Sequence, residues 1–348
     1  MTVRERDLLV CGRRVHYLDS GTPRQASMCG VAGVDDMGGV GFEDTRGAGI
    51  GDAGGAGERA SDSRGGPPRC APPFVLLHGL GGCSQHWLAV LPALAERGRA
   101  IALDLPGFGA SEPAAGPVSL DGLADVVAEV VALLELGPVV LVGHSFAGPL
   151  VLRCAARHPN LVVGVVPVGG AVFQFSALLG LRGVPRFLRA RPRETLAILA
   201  EVLGAGMPLP TAVRRALAGS AWLRRLVLWP YVCEPAALSV ASATLLLAGA
   251  GARGVFATVR AIAGSDPLDG IDAVRCPILS LASAHDLIVP LADTQELQRA
   301  VPRARTFVFE GCGHMAMLER PHAFAEQLLA FAGEPTISDP ATRTGARP

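Results

Sequence analysis

Between residues 74 and 168, four continuous apolar runs alternate with helix-like stretches, and this alternation limits the fold more than any other feature of the chain. The runs cover residues 74–77, 100–103, 138–142 and 161–168. Helical patterns lie between them at 87–96, 119–136 and 146–157; the second sets Leu123, Val126, Val127, Val130, Val131 and Leu134 on one face. Strands without polar alternation are buried on both faces, so the pattern predicts an α/β fold with a mostly parallel, doubly wound sheet. Near Phe173 the alternation lapses, and only helical patterns follow up to about Ser265. It resumes with strands at 277–282 and 306–309 and helices at 291–300 and 321–331.

The expected organisation is therefore a core in two parts, 73–172 and 266–332, interrupted by a helical lid at 173–265. A lid so placed covers the carboxyl edge of the sheet, where open α/β sheets bind ligands. Residues 1–20 read as a two-stranded β-hairpin of the core. Residues 21–72 hold 14 glycines and almost no large apolar side chains. Such a segment cannot bury enough surface to offset its ordering entropy, so it reads as a disordered insertion, either passive or partner-binding. The tail, 333–348, reads as unstructured.

Half of the 348 residues are hydrophobic, enough for a sizeable core. The 31 basic residues, all Arg, balance 31 acidic ones, which gives no electrostatic case for nucleic acid. A GC-rich coding sequence explains the absence of Lys. Eight cysteines lie scattered, with no C-x-x-C pair and no zinc spacing. The first ten residues are charged and lack a signal-peptide core. The longest apolar stretch, 236–251, is too short to span a bilayer. Together these predict a cytoplasmic protein with free thiols, no transmembrane segment, no metal and no cofactor.

Gly143-His144-Ser145-Phe146-Ala147 joins the run 138–142 to a helix. A serine on such a strand–turn–helix elbow is held on a strained backbone that needs small neighbours. Gly143 meets that need; Ala147 stands where a second glycine is usual, with Gly148 one residue later. A neutral hydroxyl needs a base to become a nucleophile. His314, in Gly311-Cys312-Gly313-His314 just past the last strand, is the candidate, against the alternative of a loop histidine satisfied by water. Asp286 follows the strand 277–282 at the same edge; it either orients the histidine or caps the next helix. His78-Gly79-Leu80-Gly81-Gly82 follows the first core strand, and its glycines allow backbone N–H groups to turn inward as oxyanion donors. The expected pair is the N–H groups of Leu80 and Phe146.

Five stretches in this order resemble the α/β-hydrolase superfamily, in particular its lid-bearing serine hydrolases of bacterial esterase type. They are His78–Gly82 with Trp87 after it, Asp104 to Ser111, Gly143 to Gly148, Ser283 to Pro290, and Gly311 to His314 running into Leu318-Glu319-Arg320-Pro321. The resemblance implies Ser145 as nucleophile, His314 as base and Asp286 as third member of the triad. Ala147 and Ser283 depart from the family's usual glycines, and the insertion at 21–72 is atypical. A serine at 145 argues against the aspartate-nucleophile dehalogenases and epoxide hydrolases. The expectation is thus an enzyme that hydrolyses a small-molecule carboxylic ester with an apolar acyl or alkyl group. Thioester hydrolysis, lactone opening or acyl transfer could use the same triad; a non-catalytic receptor and a perhydrolase-type halogenating enzyme are the remaining readings. Trp87, Phe173, Trp222 and Trp229 are candidate pocket walls, with burial in the lid or core as the alternative for each.

Overall fold

The computed structural model describes residues 2–21, 71–170, 173, 183–263 and 265–338 of the chain. Eight strands form one sheet: β1 (Arg4–Val10), β2 (Arg13–Asp19), β3 (Phe74–Leu77), β4 (Ala100–Leu103), β5 (Val139–His144), β6 (Val162–Val168), β7 (Leu279–Ser283) and β8 (Arg305–Phe309). Their spatial order is β1-β2-β4-β3-β5-β6-β7-β8. The β1–β2 hairpin and the β2–β4 pair are antiparallel, and every other pair is parallel. The mostly parallel sheet read from the sequence is the observed one.

Strand periodicity divides the core in two. On β3, Val75 and Leu77 face one layer with Ile101, Leu103 and Leu141, under helices α2 (Leu120–Leu133) and α3 (Ala147–Arg157). Phe74 and Leu76 face the other with Ala102, Val140 and Val142, under Leu91 and Leu94 of α1 (Leu91–Ala95) and Phe324, Leu328 and Phe331 of the helix Pro321–Ala332. All four residues of β3 are fully buried, which is why the strand carries no polar alternation.

Element boundaries moved where local chemistry competes with periodicity. Helix α2 starts after Ser119, whose hydroxyl accepts from the N–H of Gly122 at 3.1 Å, and ends before Glu135, which takes a positive φ of 49°. The single helix expected over 87–96 is a 3₁₀ turn, Ser84–Trp87, followed by the short α1, with proline in its first turn. Part of the tail expected to be unstructured is ordered: Pro335–Ser338 forms a helical turn, and Ile337 is buried beside Gly164 and Phe331. A single large apolar side chain in sixteen residues gave no periodic signal. The glycine-rich insertion expected at 21–72 lies outside the described residues, save for its ends.

The described part of the insert between β6 and β7 contains the helices Gly183–Ala190, Pro192–Ala205, Thr211–Gly219, Ala221–Val227, Val240–Leu246 and Val255–Ala263. Arg224, 7% exposed, ties this insert together by donating to the carbonyls of Ala218, Pro235 and Ala236 at 2.6, 3.1 and 2.9 Å. Among the described residues, no helix is long and apolar enough to cross a membrane.

Candidate active site

Parallel pairing brings four loops to one edge. Leu77 is level with Gly143, and Ser283 with Phe309, so the segments leaving β3, β5, β7 and β8 emerge side by side at their carboxyl ends. Those segments carry Leu80, Ser145, Asp286 and His314.

Ser145 has φ of 54°, a left-handed conformation that costs a non-glycine residue roughly 1–3 kcal/mol. Flanking bonds hold it there: its N–H donates to the carbonyl of Val168 at 2.8 Å, and its carbonyl accepts from Gly148 at 2.7 Å. The departure at Ala147 is accommodated because that Cβ is buried in the core, whereas a Cβ at Gly148 would run into the carbonyl oxygen of Gly170. Here the elbow's second obligatory glycine is therefore 148. A Cβ built at Gly79 would lie 2.7 Å from His144 Nδ1 and 3.1 Å from Ser145 Cβ, so the Gly79–Leu80 loop rests directly on the elbow. The N–H groups of Leu80 and Phe146 donate to no group among the described residues.

His314 and Asp286 meet in the interior. His314 Nδ1 donates to Asp286 Oδ2 at 2.8 Å, and both side chains are almost wholly buried. The other carboxylate oxygen accepts from the N–H groups of Ile288 and Val289 at 2.9 and 2.8 Å. Asp286 thus holds the imidazole and closes the turn at Ile288 and Val289; it does not cap the next helix, Leu291–Ala300, whose N-cap is Pro290 with no side-chain bond. Burial pulls the His314 pKa down, but the facing Asp286 carboxylate and its hydrogen bond outweigh this and leave it raised above 6.5. His314 Nε2 is buried and has no partner among the described residues. The rings of His144 and His314 lie 4.4 Å apart, and His144 Nε2 donates to the His314 carbonyl at 2.9 Å. Burial and the neighbouring His314 push the His144 pKa well below 6.5, so this ring is a neutral wedge between elbow and histidine loop.

The other stretches that carried the resemblance brace this edge. Asp104 accepts from the N–H groups of Ser84 and Ala110, at 2.5 and 2.9 Å, and its own carbonyl accepts from Ser111. Glu319 accepts from the N–H groups of Cys233 and Gly313 at 2.8 and 2.9 Å, linking the insert to the loop of His314.

A cavity of about 210 Å³ lies between the insert and the sheet edge. Gly79, Leu80, His144 and His314 form its floor, and Ala205, Leu228, Tyr231 and Leu246 are among its mostly apolar walls. Ser145 is 4% exposed and is not among the residues that line the cavity, though its neighbours Gly79 and His144 are. The four aromatic residues expected from the sequence do not line the cavity. Trp87 is fully buried in the core, with its ring centroid 6.0 Å from that of Phe324. Trp222 is 69% exposed, on the outer face of its helix. Phe173 and Trp229 are half-buried against the core. Instead the wall includes Glu201, 3% exposed, and His86, neither of which was expected there. Their signals were faint: Glu201 stands on the same helical stripe as Ile198 and Ala205, a carboxylate at a position whose neighbours are buried.

A model of the alpha/beta hydrolase fold matches residues 72–321. The chain belongs to the α/β-hydrolase family. This α/β-hydrolase is 29% identical to the dihydrolipoyllysine-residue acetyltransferase component of an acetoin cleaving system from Pseudomonas putida, over 74% of this chain and 63% of that protein, so it spans less than two thirds of that relative. It is 28% identical to a pimeloyl-acyl-carrier-protein methyl ester esterase from Nitrosomonas europaea, over 73% of this chain and 92% of that one. The enol-lactonase from Burkholderia xenovorans superposes with a TM-score of 0.61 at 21% identity, covering 94% of this chain and 100% of that one, a likeness of fold.

Proposed function

We propose that this α/β-hydrolase is a serine hydrolase that cleaves a carboxylic ester bearing an apolar acyl or alkyl group. The observation that carries the reading is the buried His314–Asp286 pair, bonded at 2.8 Å, which leaves Nε2 unpartnered beside the strained Ser145 elbow. With its proton on Nδ1, the imidazole presents a lone pair at Nε2, the state a general base needs. Ser145 Oγ attacks the ester carbonyl carbon as its proton passes to Nε2. The carbonyl π-bond opens onto oxygen, and the N–H groups of Leu80 and Phe146 are the donors available to that oxyanion. Collapse expels the alcohol, protonated by His314, and leaves an acyl group on Ser145. Water, deprotonated by His314, then releases the acid and restores the serine. The apolar cavity walls support an apolar substrate group, and the helical insert acts as the lid that shapes it.

The test is twofold. Ser145→Ala should abolish p-nitrophenyl ester hydrolysis, and a fluorophosphonate probe should label the native protein at Ser145. Undiminished turnover in the variant, or labelling elsewhere, would refute the assignment. Thioester and lactone substrates in the same assay rank the leaving groups.

A further inference from the structure

The polar atoms left unpartnered around the cavity share one property. His86 Nε2 donates to the Leu246 carbonyl at 3.2 Å and His144 Nε2 to the His314 carbonyl at 2.9 Å, so in both rings Nδ1 is the lone-pair nitrogen. Both Nδ1 atoms are buried and unpartnered, as is Glu201 Oε2 on the lid helix Pro192–Ala205. Burial and the nearby His78 push the His86 pKa down to about 4, so the ring stays an acceptor at neutral pH. All three of these residues line the cavity, and no Arg does. Apart from the two N–H groups set against the oxyanion and the Tyr231 hydroxyl, the unpartnered polar atoms here are acceptors.

We infer that Glu201 is the anchor of a subsite for a primary ammonium group carried by the substrate away from its scissile carbonyl. An ammonium brings three donors and no acceptor, which suits the Glu201 carboxylate better than a hydroxyl, whose lone pairs find little use beside it. It would also supply the counter-charge that the carboxylate lacks. Burial raises the Glu201 pKa to about 7, so a cation seated there gains most by holding it ionised. The lid, on this reading, selects the substrate by charge as well as by apolar shape. The subsite rests on the proposed ester hydrolysis only for its kinetic readout.

A series of methyl ω-aminoalkanoates with three to six methylenes, each paired with the ester in which methyl replaces the ammonium, tests this. At the length that spans the cavity, the wild-type kcat/KM should favour the amino ester by about tenfold or more, the size of one charge-assisted hydrogen bond. Glu201→Leu should bring that ratio to one or below, and Glu201→Gln, which keeps shape and one acceptor, should leave it between the two. Absence of a preference at every length, or a preference that survives Glu201→Leu, would overturn the inference. Calorimetry on the Ser145→Ala protein separates the two readings: n-hexylammonium should bind in a Glu201-dependent way and n-hexanol at least tenfold more weakly. Such binding without any ester turnover in the wild type would sink the hydrolase reading and keep the subsite. Ester turnover through Ser145 with equal binding of the two probes would do the reverse.

Discussion

Replacing Asp286 with Asn changes one oxygen to an amino group and asks whether this carboxylate orients His314. Oδ1 must go on accepting from Ile288 and Val289, at 2.9 and 2.8 Å, because the flipped amide would set its N–H groups against theirs. The new amino group therefore faces His314 Nδ1, where a hydrogen now lies 2.8 Å from the carboxylate oxygen by heavy atoms. Two donors cannot share that contact. The imidazole shifts its proton to Nε2, and the lone pair that would take the Ser145 proton is lost. Trapping the wrong tautomer costs on the order of 10⁴-fold in kcat, or about 5.5 kcal/mol. Folding suffers far less: three hydrogen bonds remain but lose their charge assistance, a cost of about 1–2 kcal/mol. The pH profile moves too. In the wild type, activity should rise as His314 deprotonates through a pKa held above 6.5 by Asp286. Without that charge, burial dominates, and the residual activity of the variant should rise at lower pH. Steady-state kinetics on a p-nitrophenyl ester from pH 5 to 9, with thermal unfolding alongside, reads all three effects. Activity within tenfold of wild type, or an unmoved acid limb, would refute the orienting role.

Three further outcomes follow from the packing. Glu201 has a folded pKa of about 7 against an ordinary 4.5, so its penalty is absent below pH 4.5 and builds as pH climbs to about 7. Glu201→Gln should thus stabilise the protein at pH 8 by up to about 3 kcal/mol and leave it unchanged at pH 4, read as the difference in Tm. Gly148→Ala should destabilise by about 1–3 kcal/mol and distort the elbow, because its Cβ meets the Gly170 carbonyl, while Ala147→Gly keeps activity. Kinetics on the pair decides this, and an active Gly148→Ala enzyme would contradict it. Arg224→Met removes the donors of three carbonyls and should cost about 2–4 kcal/mol, first visible as faster proteolytic cleavage within 183–263 while the sheet domain survives.

The sheet was legible because continuous apolar strands and one-faced helices are patterns that each segment carries by itself. The carboxyl edge was legible for the same reason: Ser145, Asp286 and His314 each follow a readable strand, and parallel pairing sends every such end the same way. The cavity wall obeys no such local rule. Trp87, Trp222 and Trp229 are large and apolar, which says that they seek burial but not against what. One fills the core under Phe324 and another remains on the surface. What lines the cavity depends on how the helices of the insert dock, and docking is decided by contacts between segments remote in sequence, such as His86 with Leu246 or Glu319 with Cys233. A carboxylate on the apolar stripe of the helix Pro192–Ala205 is the exception, since it breaks a pattern that the sequence does display. Such a residue costs free energy to bury, and this departure from the stripe is what the proposed ammonium subsite rests on.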